Sequence, residues 1–468
     1  MSASVFESFL STPEALALFS PNAVLQAMLD FEAALARAQA AEGVIPVAAA
    51  QAIAGVCKAE LFDAQAIVAA GAREGSLAIP LVKKLTETVA LFDADAAGHV
   101  HWGSTSQDVV DTAMVLLTRR ALALIDRDLT LLIRAALALA DAHGDAPMLA
   151  RTLMQPAQVI SLSFKLVSWI APLLRSQRRL RAAGQAALQL QLGGAVGTLA
   201  VMGEQGAAVA RVMADALQLA LPAGAWHTQR DELAALACEV GVLTGTLGKI
   251  AKDMSLLAQG EVGELAEPSG PGRGGSSAMP HKRNPVGAMI ALSAALRVPQ
   301  HVSALLAAMV QEHERGLGNW QAELAESAGL YMAAHGALKA LAGAMEGLAV
   351  DAPRMRHNID AQHGLVFAEG VAVLFSRHLG KARAHELLRR LADEAVASGH
   401  HLRDVTLHAL AHDDALRDRF DAAELVPLFE PATAAQWASR VARPQLDAMR
   451  ADAAALSAVP PWATWLNT

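Results

Sequence analysis

A loop spanning 268–284 gathers the residue types needed to handle an anion and a proton. It carries Gly270, Gly272, Gly274 and Gly275, then Ser276, Ser277, His281, Lys282, Arg283 and Asn284 before Pro285. A glycine-rich stretch between two helices is either a plain connection or a functional lid. The polar residues that follow favour the lid. Cations and free backbone amides at a helix start, here Pro285, form a natural anion site. A second stretch has the same logic: His101, Trp102, Gly103, Ser104, Thr105, Ser106, Gln107 and Asp108 lead into another helix. Alone it reads as an ordinary N-cap with a histidine nearby. Beside the first stretch, its hydroxyls and amides read as a second place for an anion.

The elements that must position these groups are long helices. The apolar spacing predicts helices over 22–42, 108–143, 156–184, 229–258, 285–314 and 319–348. The second is capped by Thr105, Ser106 or Asp108 and stopped by Gly144; Pro156 opens the third. Their apolar positions are too dense for a one-sided stripe, as Val109, Val110, Met114, Val115, Leu116, Leu117, Leu122, Leu124 and Ile125 illustrate. A helix apolar nearly all round is buried nearly all round, so the five central helices imply packing between copies of the chain. We expect three helical domains, 1–105, 106–350 and 351–468, the last with shorter helices and an irregular tail at Pro460, Pro461, Trp462 and Trp465.

Composition narrows the class. Among 468 residues, 53% are hydrophobic, only 4% are aromatic and Tyr occurs once, which favours helices over sheets. A net charge of −8 argues against a nucleic-acid partner. Two cysteines suit a reducing compartment. The N-terminus lacks the basic and apolar regions of a signal peptide. The uncharged stretch 182–203 is too rich in Gly and Gln for a membrane span. No His, Cys and Asp spacing suggests a metal site, and no nucleotide fingerprint is present, so neither metal nor cofactor is expected. Most histidines after position 350, for example His400, His401, His408 and His412, read as surface residues, His227 as the neighbour of a Thr228 cap and Glu264 as a surface acid. His313 and Arg315 read as a solvated helix end or part of a site.

The run from Gly275 to Pro285, GSSAMPHKRNP, resembles the signature of the fumarase/aspartase superfamily. That resemblance implies that Ser276 moves the proton and that Lys282 and Asn284 bind substrate carboxylate. The His101–Asp108 stretch is similar to the superfamily's first motif, implying carboxylate binding at Thr105 and Ser106 and a second proton-transfer or orienting group in His101. A third motif, typically Thr-His-x-Gln, departs here. Arg151, Thr152 and Gln155 are retained as implied substrate partners, but the histidine position is Leu153. Expelling an amine or hydroxide needs a proton donor, worth roughly 10²–10⁴-fold. A carboxylate, whose acid has a pKa of about 4, needs none.

The departure therefore points to a carboxylate as leaving group or nucleophile. Within the superfamily that matches the 3-carboxy-cis,cis-muconate cycloisomerases of protocatechuate breakdown, and the stretches 28–38, 78–82, 226–231, 259–264 and 311–323 resemble that branch as well. The resemblance implies an all-α fold with a central bundle of five long helices and a small tricarboxylate substrate, with Arg315 as a further partner for it. It also implies a cytoplasmic homotetramer with shared active sites. An adenylosuccinate lyase-type C–N lyase is the nearest alternative, and a catalytically silent oligomer the other.

Overall fold

The structure, a computed structural model, describes residues 5–270, 274–275, 278–279, 281–417 and 419–458, Ala415 by its backbone alone. After two short helical turns the chain forms α1 (Pro21–Ala41), whose Ser20 caps the Ala23 amide. Shorter helices follow to Ala97, and then the first long helix, α2 (Ser106–His143), begins. Its N-cap is Thr105, and the Asp108 carboxylate returns to accept from the Thr105 amide at 3.1 Å. The helix ends at Gly144.

The next segment departs from expectation. Pro156 does not open a helix; it sits in a hairpin of β1 (Pro147–Thr152) and β2 (Gln155–Ser161), paired with Arg151. Leu153 and Met154 take left-handed φ angles of 50° and 69° and make the turn. α3 (Leu162–Ala187) starts only after Ser161 caps the Phe164 amide. A proline with a fixed φ fits a strand pair as readily as a helix start, so sequence alone did not separate the two.

Three further long helices complete the bundle: α4 (Asp231–Leu257), α5 (Val286–Ala308) and α6 (Asn319–Glu346). α5 ends at Ala308 rather than near residue 314, and there Asn319 Nδ2 donates to the Ala308 carbonyl of its last turn and to the Val310 carbonyl just beyond it. Between α4 and α5, β3 (Leu265–Ala266) pairs with β4 (Ala349–Val350), which follows α6. One unexpected long helix, α7 (Pro431–Ala458), packs along α3; its Pro444 and sparse apolar residues hid it.

The core follows from the sequence pattern. Leu117, Leu129 and Leu132 of α2 are buried with Leu166 and Trp169 of α3, Leu243 and Leu247 of α4, and Leu338 and Leu341 of α6. The α1 residues Leu29, Phe31 and Leu35 join the same core. A separate, smaller core gathers Ile359, Phe367, Phe375, Leu391, Leu402 and Leu425 against Leu149 and Val159 of the hairpin. α5 differs from its neighbours: Met289, Leu296 and Leu306 stay exposed. Both α4 and α5 are long and apolar enough to cross a membrane by length and composition, but half of α4's apolar window is buried in the bundle.

Candidate active site

The long helices sort the candidate residues to two ends of the bundle. α2 has 38 residues and spans about 57 Å. His101, Thr105 and Ser106 stand at its start, and Arg151, Thr152 and Gln155 in the hairpin beyond its finish. α4 begins at the first end and leads to Glu264 at the second; α5 begins at the second, beside Lys282 and Asn284, and returns to Arg315 at the first.

At the histidine end, Asp108 is the organising group. Its buried carboxylate accepts from the amides of Thr105, Gly193 and Gly194 at 3.1, 3.0 and 2.9 Å, and bonds His227 Nε2 at 2.7 Å. His227 is therefore a buried link between the first turn of α2 and the approach to α4, not a capping neighbour. Arg315 is not on a solvated helix end: it donates through Nη2 to the Gly194 carbonyl at 3.0 Å. Gly194 has φ 68°, and a Cβ there would lie 2.8 Å from the Gly103 carbonyl oxygen. Only glycine fits so close an approach. The sequence offered Gly193, Gly194 and Gly197 in five residues as a signal, but nothing local says what they pack against.

One turn further along α2, Asp111 and Glu323 of α6 hold Arg230 between them. Both Arg230 Nη atoms lie 2.9 Å from Asp111, its Nε is 3.0 Å from Glu323, and Trp320 donates to Asp111 at 2.9 Å. Burial opposes the Arg230 charge, yet the two carboxylates outweigh it and raise its pKa. This network fixes the starts of α2, α4 and α6 against one another.

His101 has φ 60°, uncommon outside glycine. Its Nδ1 lies 2.6 Å from Glu32 Oε1 of α1. Burial tends to lower the His101 pKa, but Glu32, helped by Asp108, raises it above the ordinary histidine value. Thr105 and Ser106 remain half-buried beside it.

The hairpin end is more open. Thr152 and Gln155 are exposed, and Leu153 between them is 98% exposed. Arg151 grips the buried Glu264 with both Nη atoms at 3.1 and 2.6 Å, so Glu264 is not a surface acid. Asn358 donates to the same carboxylate at 2.8 Å. Lys282 and Arg283 are exposed; Asn284 donates its amide to the Gly274 carbonyl at 2.8 Å. The start of α5 is not an open anion site. Glu267 already accepts from the Gly287 and Ala288 amides at 2.9 and 2.8 Å, placing the chain's own carboxylate there. Ser276, the expected proton-transfer residue, lies outside the described residues, as do Ser277 and Pro280.

Among the described residues, Glu14, Asp128 and His335 bring carboxylate and imidazole ligand atoms within 4.8 Å of one another, a grouping no sequence spacing announced. Its centre is engaged: Asp128 accepts from Arg127 Nε at 2.9 Å and meets His335 Nε2 at 2.9 Å.

Similarity to known proteins extends over most of the chain. A family model described as Lyase matches residues 10–300. A 3-carboxy-cis,cis-muconate cycloisomerase of Bradyrhizobium diazoefficiens is 46% identical over 90% of this chain and 93% of its own length. A nitrosuccinate lyase of Streptomyces davaonensis is 40% identical over 89% of this chain and 88% of its own. The crystal structure of a 3-carboxy-cis,cis-muconate lactonizing enzyme from Pseudomonas putida superimposes with a TM-score of 0.90. It has 41% identity and covers 96% of this chain and 100% of its own.

Proposed function

The chain belongs to the lyase family of the fumarase/aspartase superfamily, and on that premise we propose that it converts 3-carboxy-cis,cis-muconate to 4-carboxymuconolactone. A carboxylate oxygen of the substrate attacks an alkene carbon of the same molecule, forming the C–O bond of the lactone. The electron pair moves to the neighbouring carbon and into its attached carboxylate, and a proton then adds to that carbon. The reverse direction is the elimination common to the superfamily.

Stabilising the charge in transit requires fixed donors aimed at the carboxylate that receives it. Lys282, Asn284, Thr105 and Ser106 supply these donors, with Thr152, Gln155 and Arg315 as partners for the other carboxylates. Arg151, gripped by Glu264, offers only its remaining N–H groups. Ser276 delivers the proton to carbon, and His101 stands as its orienting partner or second proton carrier.

Leu153 is the observation that carries this reading. It stands at the hairpin tip between Thr152 and Gln155, with no titratable group to protonate a departing amine or hydroxide. A carboxylate enters and leaves without such help. Nitrite does too, so elimination from nitrosuccinate is the second reading, favoured by the Streptomyces davaonensis relative.

The two ends of the bundle stand too far apart to act on one small substrate within a single chain. We place each site between copies of a cytoplasmic homotetramer, the histidine end of one subunit meeting the hairpin end of others. The exposed apolar face of α5 supports that packing. An ultraviolet assay tests the reading: muconate absorbance should fall on adding enzyme. Turnover of nitrosuccinate or adenylosuccinate in its place would overturn it.

A further inference from the structure

We infer that Glu32 is a positioning residue for the reaction, clamping His101 as an outward-facing imidazolium beside the Thr105–Ser106 helix start. The inference rests on the function proposed above for its chemistry, but on geometry of its own.

Glu32 is 1% exposed and lies on α1 among Leu29, Phe31 and Leu35 of the main core. A carboxylate has little reason to be there for stability. Its Oε1 meets His101 Nδ1 at 2.6 Å, a charge-assisted length, while its buried Oε2 has no partner among the described residues. An under-satisfied buried carboxylate is costly, and folding alone would be better served by an apolar side chain.

The residue it grips is strained as well. His101 holds a left-handed φ of 60°, and the turn that follows is tied to α1 a second time by Gln39 Nε2, which donates to the Trp102 carbonyl at 2.6 Å. Strain and an unmet buried charge at one contact mark a functional arrangement rather than a folding one.

The geometry fixes the proton inventory. With Nδ1–H donated to Glu32, His101 keeps Nε2 for other duties, and Nε2 takes no partner among the described residues. The His101 side chain is 18% exposed while Glu32 is shut behind it, so the positive end of the pair is the accessible one. The charged groups acting on the imidazole are Glu32 from α1 and Asp108 from α2, both anionic. They keep it protonated to higher pH than a free histidine. A fixed cation four residues before Thr105 suits a substrate with three carboxylates.

Glu32→Gln keeps an oxygen for the His101 N–H and removes only the charge. The expected result is a lower His101 pKa, followed by NMR of ¹³C-labelled histidine with the signal identified by its loss in His101→Asn. Muconate kcat/KM should fall roughly tenfold or more, with the deficit confined to the pH window between the two His101 titrations. Below that window both proteins carry the charge, and above it neither does. A deficit uniform across pH, or an unchanged titration, would overturn the inference and leave Glu32 a strut. Should Glu32→Gln not fold, the wild-type titration decides: a His101 signal titrating at or below the ordinary histidine value overturns the clamp. A raised titration in an enzyme that leaves muconate untouched would keep the clamp and sink the proposed substrate.

Discussion

The two ends of the bundle solve opposite problems with similar residue types. At the histidine end, the main charged groups are paired inside the chain: Asp108 with two glycine amides and His227, Arg230 with two carboxylates, Arg315 through one Nη with a backbone carbonyl. At the hairpin end Thr152, Gln155, Lys282 and Arg283 stand exposed. The difference shows where preorganisation is stored. One half arrives rigid, its donors set by buried ions. The other presents its donors outward, and on the proposed reading another subunit supplies their surroundings.

The hardest test of that contrast is to remove the rigidity. Arg230→Leu strands Asp111 and Glu323 in the core, and breaking such a cluster costs about 3–5 kcal/mol. Thermal melting should register the loss, and amide exchange should accelerate at the starts of α2, α4 and α6 while the hairpin keeps its protection. Equal acceleration at both ends would erase the distinction.

Next in size are losses of donors to the developing charge. Lys282→Ala and Thr105→Ala should each reduce kcat/KM by roughly 10²–10³-fold, the effect of deleting one such donor. Because the two residues sit at opposite ends, mixing and reassembling the two inactive variants should restore part of the activity. Mixtures that stay as inactive as their parents would mean that both ends serve one site within a chain.

Gly194→Ala sharpens the account of the rigid end. The added methyl meets the Gly103 carbonyl at an already left-handed residue, a strain of about 1–3 kcal/mol. Lower melting temperature together with weaker substrate binding is the expected pair of results. Smallest of all, Leu153→His at the exposed hairpin tip should change stability by less than about 0.5 kcal/mol and should not speed lactone formation. A faster lactonisation would show that an acid at this position helps after all.

The sequence made the helix ends with strong local chemistry legible. Thr105 caps α2 and Gly144 ends it because those signals act within one turn. The five long helices were legible for the same reason, through dense apolar periodicity. What escaped was either ambiguous or distant. Pro156 suits a strand or a helix start, and the choice was made by the Leu153–Met154 turn and its partner strand. α7 was hidden by Pro444. Glu32, His227 and Gly194 meet their partners across 69, 119 and 121 positions, pairings that no window of sequence contains. Ser276, Lys282 and Asn284 were conspicuous as a motif, yet Glu267's occupation of the α5 amides was not.

The span of α2 also sets rules for how such a chain can change length. Deleting one residue from a helix shortens it by about 1.5 Å and turns everything beyond it by about 100°. In α2 that would swing the hairpin, with Arg151 and Gln155, away from the face it shares with Glu264, and no neighbouring helix could follow. Insertions and deletions should therefore be tolerated best in the connections outside the bundle, such as the short helices before α2 and the segment between β4 and α7. In the five long helices substitution keeps both ends in register while a change of length does not, so their dimensions are the part of the frame least free to vary.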